Sequence, residues 1–227
     1  MRAKRALLIL ALILAFIIAA ACGDDETTEA ESIGPNNDDD DDNDDDDSTG
    51  DMYSDDCGIQ YGVDPGCDDS DYGCLMVPLL NEDRYNNPEE SDCAPALYWN
   101  EELAAVALAH SIDMCERDFF DHSNPDGDDP FDRMDDADIG WIAAGENIFW
   151  GSGMSVSAAL GMAEDGFMDE PECTLNHRSN ILNRNFTHVG IGVYECPNGK
   201  IFITQDFASF SYDDIRNDPH EYCPNFS

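Results

Sequence analysis

Phe119-Phe120-Asp121-His122-Ser123-Asn124-Pro125-Asp126-Gly127, followed downstream by Gly145-Glu146-Asn147-Ile148 and His177-Arg178-Ser179-Asn180-Ile181-Leu182, decides the reading of this chain. His122 opens a Gly/Pro-rich loop that cannot belong to a core, so its imidazole is free to face a cleft. Glu146 is a carboxylate inside an apolar stretch, where it must find partners or shift its pKa. His177 precedes an apolar run and is expected at the start of a short helix. Common catalytic signatures are absent: the chain has no G-x-S-x-G, no H-E-x-x-H and no P-loop. Gly190-x-Gly192 lacks the third glycine of a dinucleotide loop and falls inside a β-rich run, so it is not read as one.

Around these pieces the periodicity assigns elements. Residues 75–85, with Pro78 early, read as a first helix. A second covers 101–117, capped by Asn100, with Glu101 and Glu102 at the positive end of its dipole. Leu103, Ala107, His110 and Met114 share one face of it. The Asp/Gly/Pro/Ser-rich stretch 121–130 is a loop, 143–150 a strand or a short turn, and 156–168 a helix. Residues 187–194 and 201–207 are rich in Val, Ile and Phe and flank Pro197-Asn198-Gly199, a strong hairpin signal. Helices first and antiparallel strands last give an α+β class. Of the remaining histidines, His110 is expected to be satisfied locally on its helix, His188 to be exposed at a strand start, and His220 to lie in the tail.

The pieces together resemble the CAP superfamily, or SCP-like extracellular domain: cysteine-rich secretory proteins, antigen 5, plant pathogenesis-related proteins and many bacterial secreted proteins. The matching segments run in family order: Asn81-x-x-Arg84; Trp99-Asn100-x-x-Leu103-x-x-x-Ala107; Phe120-x-His122-x-x-Pro125-Asp126-Gly127 with Pro130-Phe131-Asp132-Arg133; Gly145-Glu146-Asn147-Ile148; His177-Arg178-x-Asn180-Ile181-Leu182; and Val189-Gly190-Ile191-Gly192-Val193 with Gln205-Asp206-Phe207. Each segment alone is weak; the order over about residues 79–209 carries the resemblance.

The resemblance implies a three-layer α-β-α sandwich with a small antiparallel sheet and a cleft holding two His and two Glu. His122 matches the first His, Glu146 the first Glu and His177 the second His. Phe167-Met168-Asp169-Glu170 stands where animal and plant members have Trp-x-x-Glu, which makes Glu170 the second Glu, with Asp169 its competitor. Residues 171–176 lengthen the link to His177, Asn176 replaces the family's Gly, and Cys173 is available to staple the insertion. Chemically, such a cluster has three readings. It can bind a divalent metal such as Zn2+, through His122, Glu146, Glu170 and His177 as ligands or supporting groups. It can do acid–base or hydrolytic work, with His122, Glu146 and His177 as catalytic candidates and Ser123 or Ser179 as nucleophile. It can also be a polar network that fixes the fold. Lacking a self-consistent nucleophile-and-base motif, the sequence favours a binding or interaction module over a peptidase-like hydrolase, with a surface, lipid or glycan as ligand.

The 227-residue chain carries 51 acidic and 10 basic residues, a net charge of -41, which excludes a nucleic-acid partner for want of Lys/Arg clusters. Residues 1–22 read as a signal peptide: Arg2, Lys4 and Arg5 precede 16 apolar residues at positions 6–21. As a helix that run spans about 24 Å, short of the hydrocarbon core of about 30 Å. Ala19-Ala20-Ala21-Cys22 resembles a bacterial lipobox, which implies cleavage before Cys22, its lipidation, and a protein held to a membrane at the cell envelope or surface; plain secretion is the alternative. Residues 23–56 hold 17 acidic residues and no basic one and read as a disordered tether. Residues 57–78 form a Cys/Asp-rich lead-in, and 79–227 the folded domain. The eight cysteines besides Cys22 form no C-x-x-C pair, so they are read as four disulfides of an oxidising compartment, with connectivity open.

Overall fold

In the computed structural model, residues 57, 62–68, 70–218 and 222–223 are described. The expectations for residues 1–22, for the tether at 23–56, for Cys22 and for His220 lie outside them.

Helix α1 spans Tyr72–Asn86, starting three residues before the expected position because the Asp71 side chain accepts from the Gly73 N–H and caps it. Its inward face is Met76, Val77, Leu80 and Arg84. Strand β1, Tyr98–Trp99, is too short to show a period and was not foreseen. Helix α2, Glu101–Arg117, is capped by Asn100 as expected and ends at Asp118 in the left-handed region, φ 52°. Helix α3, Pro130–Asp136, begins where the loop was expected to end; an Asp129/Asp132 capping box and a proline in the first turn set its start. Strand β2 spans Ala143–Ser152, α4 spans Val156–Met168 with Ser155 as cap, and α5 spans His177–Leu182, capped by Asn176. Strands β3, His188–Glu195, and β4, Lys200–Ser209, form the hairpin, with Gly199 at φ 80° in its turn. A short 3-10 turn follows at Tyr212–Asp214.

The four strands lie in the order β1-β3-β4-β2. The pairs β3–β4 and β2–β4 are antiparallel, while β1 joins β3 in parallel, Tyr98 opposite His188 and Trp99 opposite Val189. Side chains on β4 alternate between two helical layers. Ile201, Ile203 and Phe207 pack with Met76, Leu80, Leu160, Phe167 and Ile181 of α1, α4 and α5. On the opposite face Ala208 packs with Leu103 and Met134 of α2 and α3, and Phe202 with Met114 and Ile148. This is the three-layer α-β-α sandwich.

Gly190 and Gly192 have a packing role. A Cβ on either would overlap the backbone of α2 at Leu103–Ala104 or at Ala107–Leu108, so these glycines let the helix lie directly on β3. Arg84 is a second internal fastening: fully buried, it donates to the carbonyls of Ile181, Asn183 and Phe186 at 2.9–3.0 Å, gathering the end of α5 and the turn after it. Burial lowers its pKa to about 9. Four disulfides join Cys57 to Cys93, Cys67 to Cys74, Cys115 to Cys196 and Cys173 to Cys223. The last ties the 171–176 insertion to the tail. His188 is not exposed as expected: it is half-buried between the rings of Tyr98 and Phe210, and that burial lowers its pKa.

Candidate functional site

Glu146 and Asn147 are successive residues of β2, the edge strand, so their side chains leave on opposite faces of the sheet. Glu146 turns toward the α2/α3 layer. Its carboxylate, 1 % exposed, accepts from His122 Nδ1 at 2.7 Å through one oxygen and from Arg133 Nη2 at 2.5 Å through the other. Arg133 also donates to the His122 carbonyl at 2.8 Å, so it fixes the loop backbone that carries the imidazole. Across the sheet Glu146 lies opposite Asp206, which is fully buried.

Asn147 turns toward the other layer. Its amide donates to the His177 carbonyl at 3.1 Å and to Gln205 Oε1 at 2.9 Å. Asn180, one turn along α5, donates to the Glu146 carbonyl and to Asn147 Oδ1 at 3.1 and 2.9 Å. Helix α5 is thus moored to β2 at Glu146 and Asn147. At its first residue, His177 Nδ1 meets Glu170 Oε1 at 2.7 Å, while the His177 backbone N–H donates to Glu170 Oε2 at 2.7 Å. The His177 ring stacks on Phe167, centroids 4.6 Å apart. It is Glu170, not Asp169, whose carboxylate reaches the imidazole.

Two His–Glu pairs therefore flank the edge strand: His122, from the loop between α2 and α3, meets Glu146 of β2 itself, and Glu170, just after α4, meets His177 at the start of α5. In both pairs a carboxylate oxygen accepts from Nδ1, which fixes the tautomer and leaves Nε2 as the working nitrogen. The side chains of His122 and His177 are 47 % and 32 % exposed. The hydrogen bond that His122 donates to Glu146 raises the His122 pKa above its ordinary value, against a smaller opposing effect of burial.

The profile of the cysteine-rich secretory protein family, CAP, matches residues 77–207, more than half of the chain. The chain belongs to the cysteine-rich secretory protein family. Among curated relatives of this CAP domain, it is 36% identical over 139 residues to the uncharacterized protein YkwD of Bacillus subtilis (strain 168), covering 61% of this chain and 47% of the relative. It is 31% identical over 111 residues to the uncharacterized membrane protein YlbC of the same strain, covering 49% and 28%. The chain thus spans less than half the length of either. Among solved structures, an outer surface protein from Borrelia burgdorferi shares the fold, with a TM-score of 0.50 and 16% identity over 63% of this chain and 96% of that one.

Each of the four carboxylate oxygens of Glu146 and Glu170 accepts one hydrogen bond from the protein, which leaves each a further lone pair. Among the described residues, no three His, Cys, Asp or Glu side chains group so as to hold a metal ion. Neither Nε2 takes part in the two pairs. Of the two serines named as nucleophiles, Ser179 is engaged in a helix cap. The Ser179 hydroxyl donates to the Asn176 carbonyl at 2.7 Å and accepts from the Asn176 N–H at 2.9 Å, completing the α5 cap. His110 is only half satisfied: Nε2 meets the Asp121 carbonyl at 3.1 Å, beyond the end of α2, while the buried Nδ1 has no hydrogen-bond partner.

Sequence reasoning quoted Arg133, Asn180 and Asp206 as family letters and gave them no part in the site. One signal was present: a carboxylate in an apolar strand requires a cation, and Arg133 follows the His122 loop directly.

Proposed function

We propose that this CAP domain is a secreted, surface-held interaction module that takes its ligand through the Nε2 atoms of His122 and His177, and that it is not a hydrolase. The supporting observation is the pairing of both Nδ1 atoms with carboxylates while no Ser, Thr or Cys is hydrogen-bonded to either imidazole among the described residues. A hydrolase of the Ser–His kind needs a nucleophile within hydrogen-bond reach of its base. A ligand group that accepts from protonated His122, or donates to the neutral ring, suits this arrangement.

Zn2+ serves as a lone-pair probe of the two nitrogens. It should move the His122 and His177 ring resonances together. The binding should be far weaker than the about 10–16 kcal/mol of closed structural sites, and it should strengthen as pH rises through the raised His122 titration, because metal displaces the proton. His122→Ala or His177→Ala should abolish it; rings that respond independently would overturn a shared ligand. A fluorophosphonate probe should leave Ser123 unlabelled, and labelling that His122→Ala removes would instead establish the hydrolase. Surface retention is assigned to lipid on Cys22: Cys22→Ser should move the protein from the membrane fraction to the soluble one, and equal fractionation would remove the anchor.

A further inference from the structure

Strand β3 outruns its neighbour. β1 ends at Trp99 opposite Val189, while β3 continues to Glu195 with no strand on that side among the described residues. Helices take up the space instead. Gly73, in the first turn of α1, lies so close to the Ile191 carbonyl that a Cβ would overlap it. Between the start of α1 and the first turns of α2 a groove of about 400 Å³ follows the free edge. Val193 of β3 lines it, with Trp99 and the exposed Tyr72 and Leu108. Asp71, the cap of α1, and Glu101, the first residue of α2, add two carboxylates. The walls are held in place: the Cys67–Cys74 disulfide ties the lead-in to α1, and the Trp99 N–H donates to the Pro65 carbonyl at 3.0 Å.

Both acids sit at helix N-termini, so part of their charge offsets the macrodipoles. Two carboxylates against about half a positive charge per helix leave roughly one negative charge in the groove. Asp71 gives one oxygen to the Gly73 N–H at 2.7 Å. Its other oxygen and the exposed Glu101 form no ion pair among the described residues. The seven Lys and Arg residues from position 57 onward are all engaged elsewhere, Arg84 with backbone carbonyls and the other six with other acids. The groove therefore joins aromatic rings, an apolar lining and a net negative charge that the domain's own cations leave unmatched.

We propose that this groove is the docking site for a lysine or arginine side chain of a partner protein. Aromatic faces attract cations, Trp most strongly, so Trp99 and Tyr72 complement the charge that Asp71 and Glu101 attract. Leu108 and Val193 suit the methylene stem behind the charged head. A choline headgroup also offers a cation, but it carries a phosphate a few atoms away that the two carboxylates would repel. A basic side chain brings no such anion, and a net charge of -41 draws basic proteins from a distance. The groove follows the edge of the sheet opposite β2, and this proposal does not depend on the histidine ligand.

The test is an NMR titration of the oxidised full chain with a capped Gly-Arg-Gly tripeptide. Gly-citrulline-Gly serves as its neutral isostere and phosphocholine as the lipid headgroup. The arginine peptide should move the Trp99 indole, Tyr72 ring and Val193 amide resonances saturably and leave the Trp141 indole in place. The citrulline peptide should bind about tenfold more weakly, having no charge for the rings and carboxylates. Phosphocholine should leave these resonances unmoved. Asp71→Asn, which keeps a good helix cap, and Glu101→Gln should each weaken the arginine peptide about two- to fivefold, and added salt should weaken it further. Equal binding of the arginine and citrulline peptides, or no saturable shift at Trp99, would overturn the proposal. Phosphocholine binding as tightly as the arginine peptide would overturn the protein partner in favour of a lipid headgroup. The readout sits at Trp99 and Tyr72, not at His122 or His177, so failure here leaves the histidine-ligand proposal standing, and the reverse.

Discussion

At the scale of single residues, Glu146 governs the chemistry of the site, and replacing it separates two of its roles. Glu146→Gln removes the charge that raises His122, so the His122 midpoint observed by NMR should fall toward about 6.5. Because the folded-state value is raised, the pair's stabilisation is present below about pH 6.5 and is lost as pH rises through the folded value; this pH dependence should vanish in the variant. The same change leaves Arg133 buried without its carboxylate and should cost about 3 kcal/mol in urea unfolding at neutral pH. How much of this was readable beforehand varies by residue. His122, Glu146 and His177 stand out because each is chemically out of place in its local sequence. Glu170 was separable from Asp169 only by knowing where α4 ends. Asp206 gave no local warning, since its partner lies 60 positions earlier in the chain and is set by strand register alone.

At the scale of elements, one buried acid works against the packing of α4. Glu164, 5% exposed, faces Asp83 of α1 and lies 3.5 Å from Gln205 Nε2. Burial, then the contact with Asp83, raises its pKa well above the ordinary value. A raised acid favours folding while protonated, so stability should decline as pH climbs from the unfolded value of about 4.3 toward the folded one. Urea unfolding of Glu164→Gln should match the wild type near the lower end and exceed it at neutral pH; equal pH profiles would remove this assignment. The seating of α2 on β3 offers a second test. A methyl at Gly190 collides with helix backbone rather than a movable side chain, so Gly190→Ala should cost at least the about 1–3 kcal/mol of ordinary overpacking, and thermal unfolding measures it. Helices α2 and α4 and the β3–β4 hairpin were legible because amphipathic period and capping agree with tertiary burial. Helix α3 was hidden by its acidic composition, its start being set by a capping box and not by an apolar stripe. Strand β1, two residues long, has no period, and its parallel pairing depends on a partner about 90 positions away.

At the scale of the whole molecule, the strand order carries a temporal meaning. Strand β4 lies between β3 and β2, and its two faces close both cores, yet it is the last strand in the chain. Until Lys200–Ser209 is available, β2 has no neighbour, β3 has only the two residues of β1, and the Glu146 pairing with Asp206 cannot form. A chain truncated after residue 199 should therefore lack the cooperative unfolding transition of the intact protein by circular dichroism; a truncated chain that melts cooperatively would contradict this. The Cys173–Cys223 bridge lies later still. A polypeptide made N-terminus first therefore cannot close this domain piecemeal: β4, which both cores and both antiparallel neighbours need, follows the other three strands. The domain stays open to threading until that strand is present.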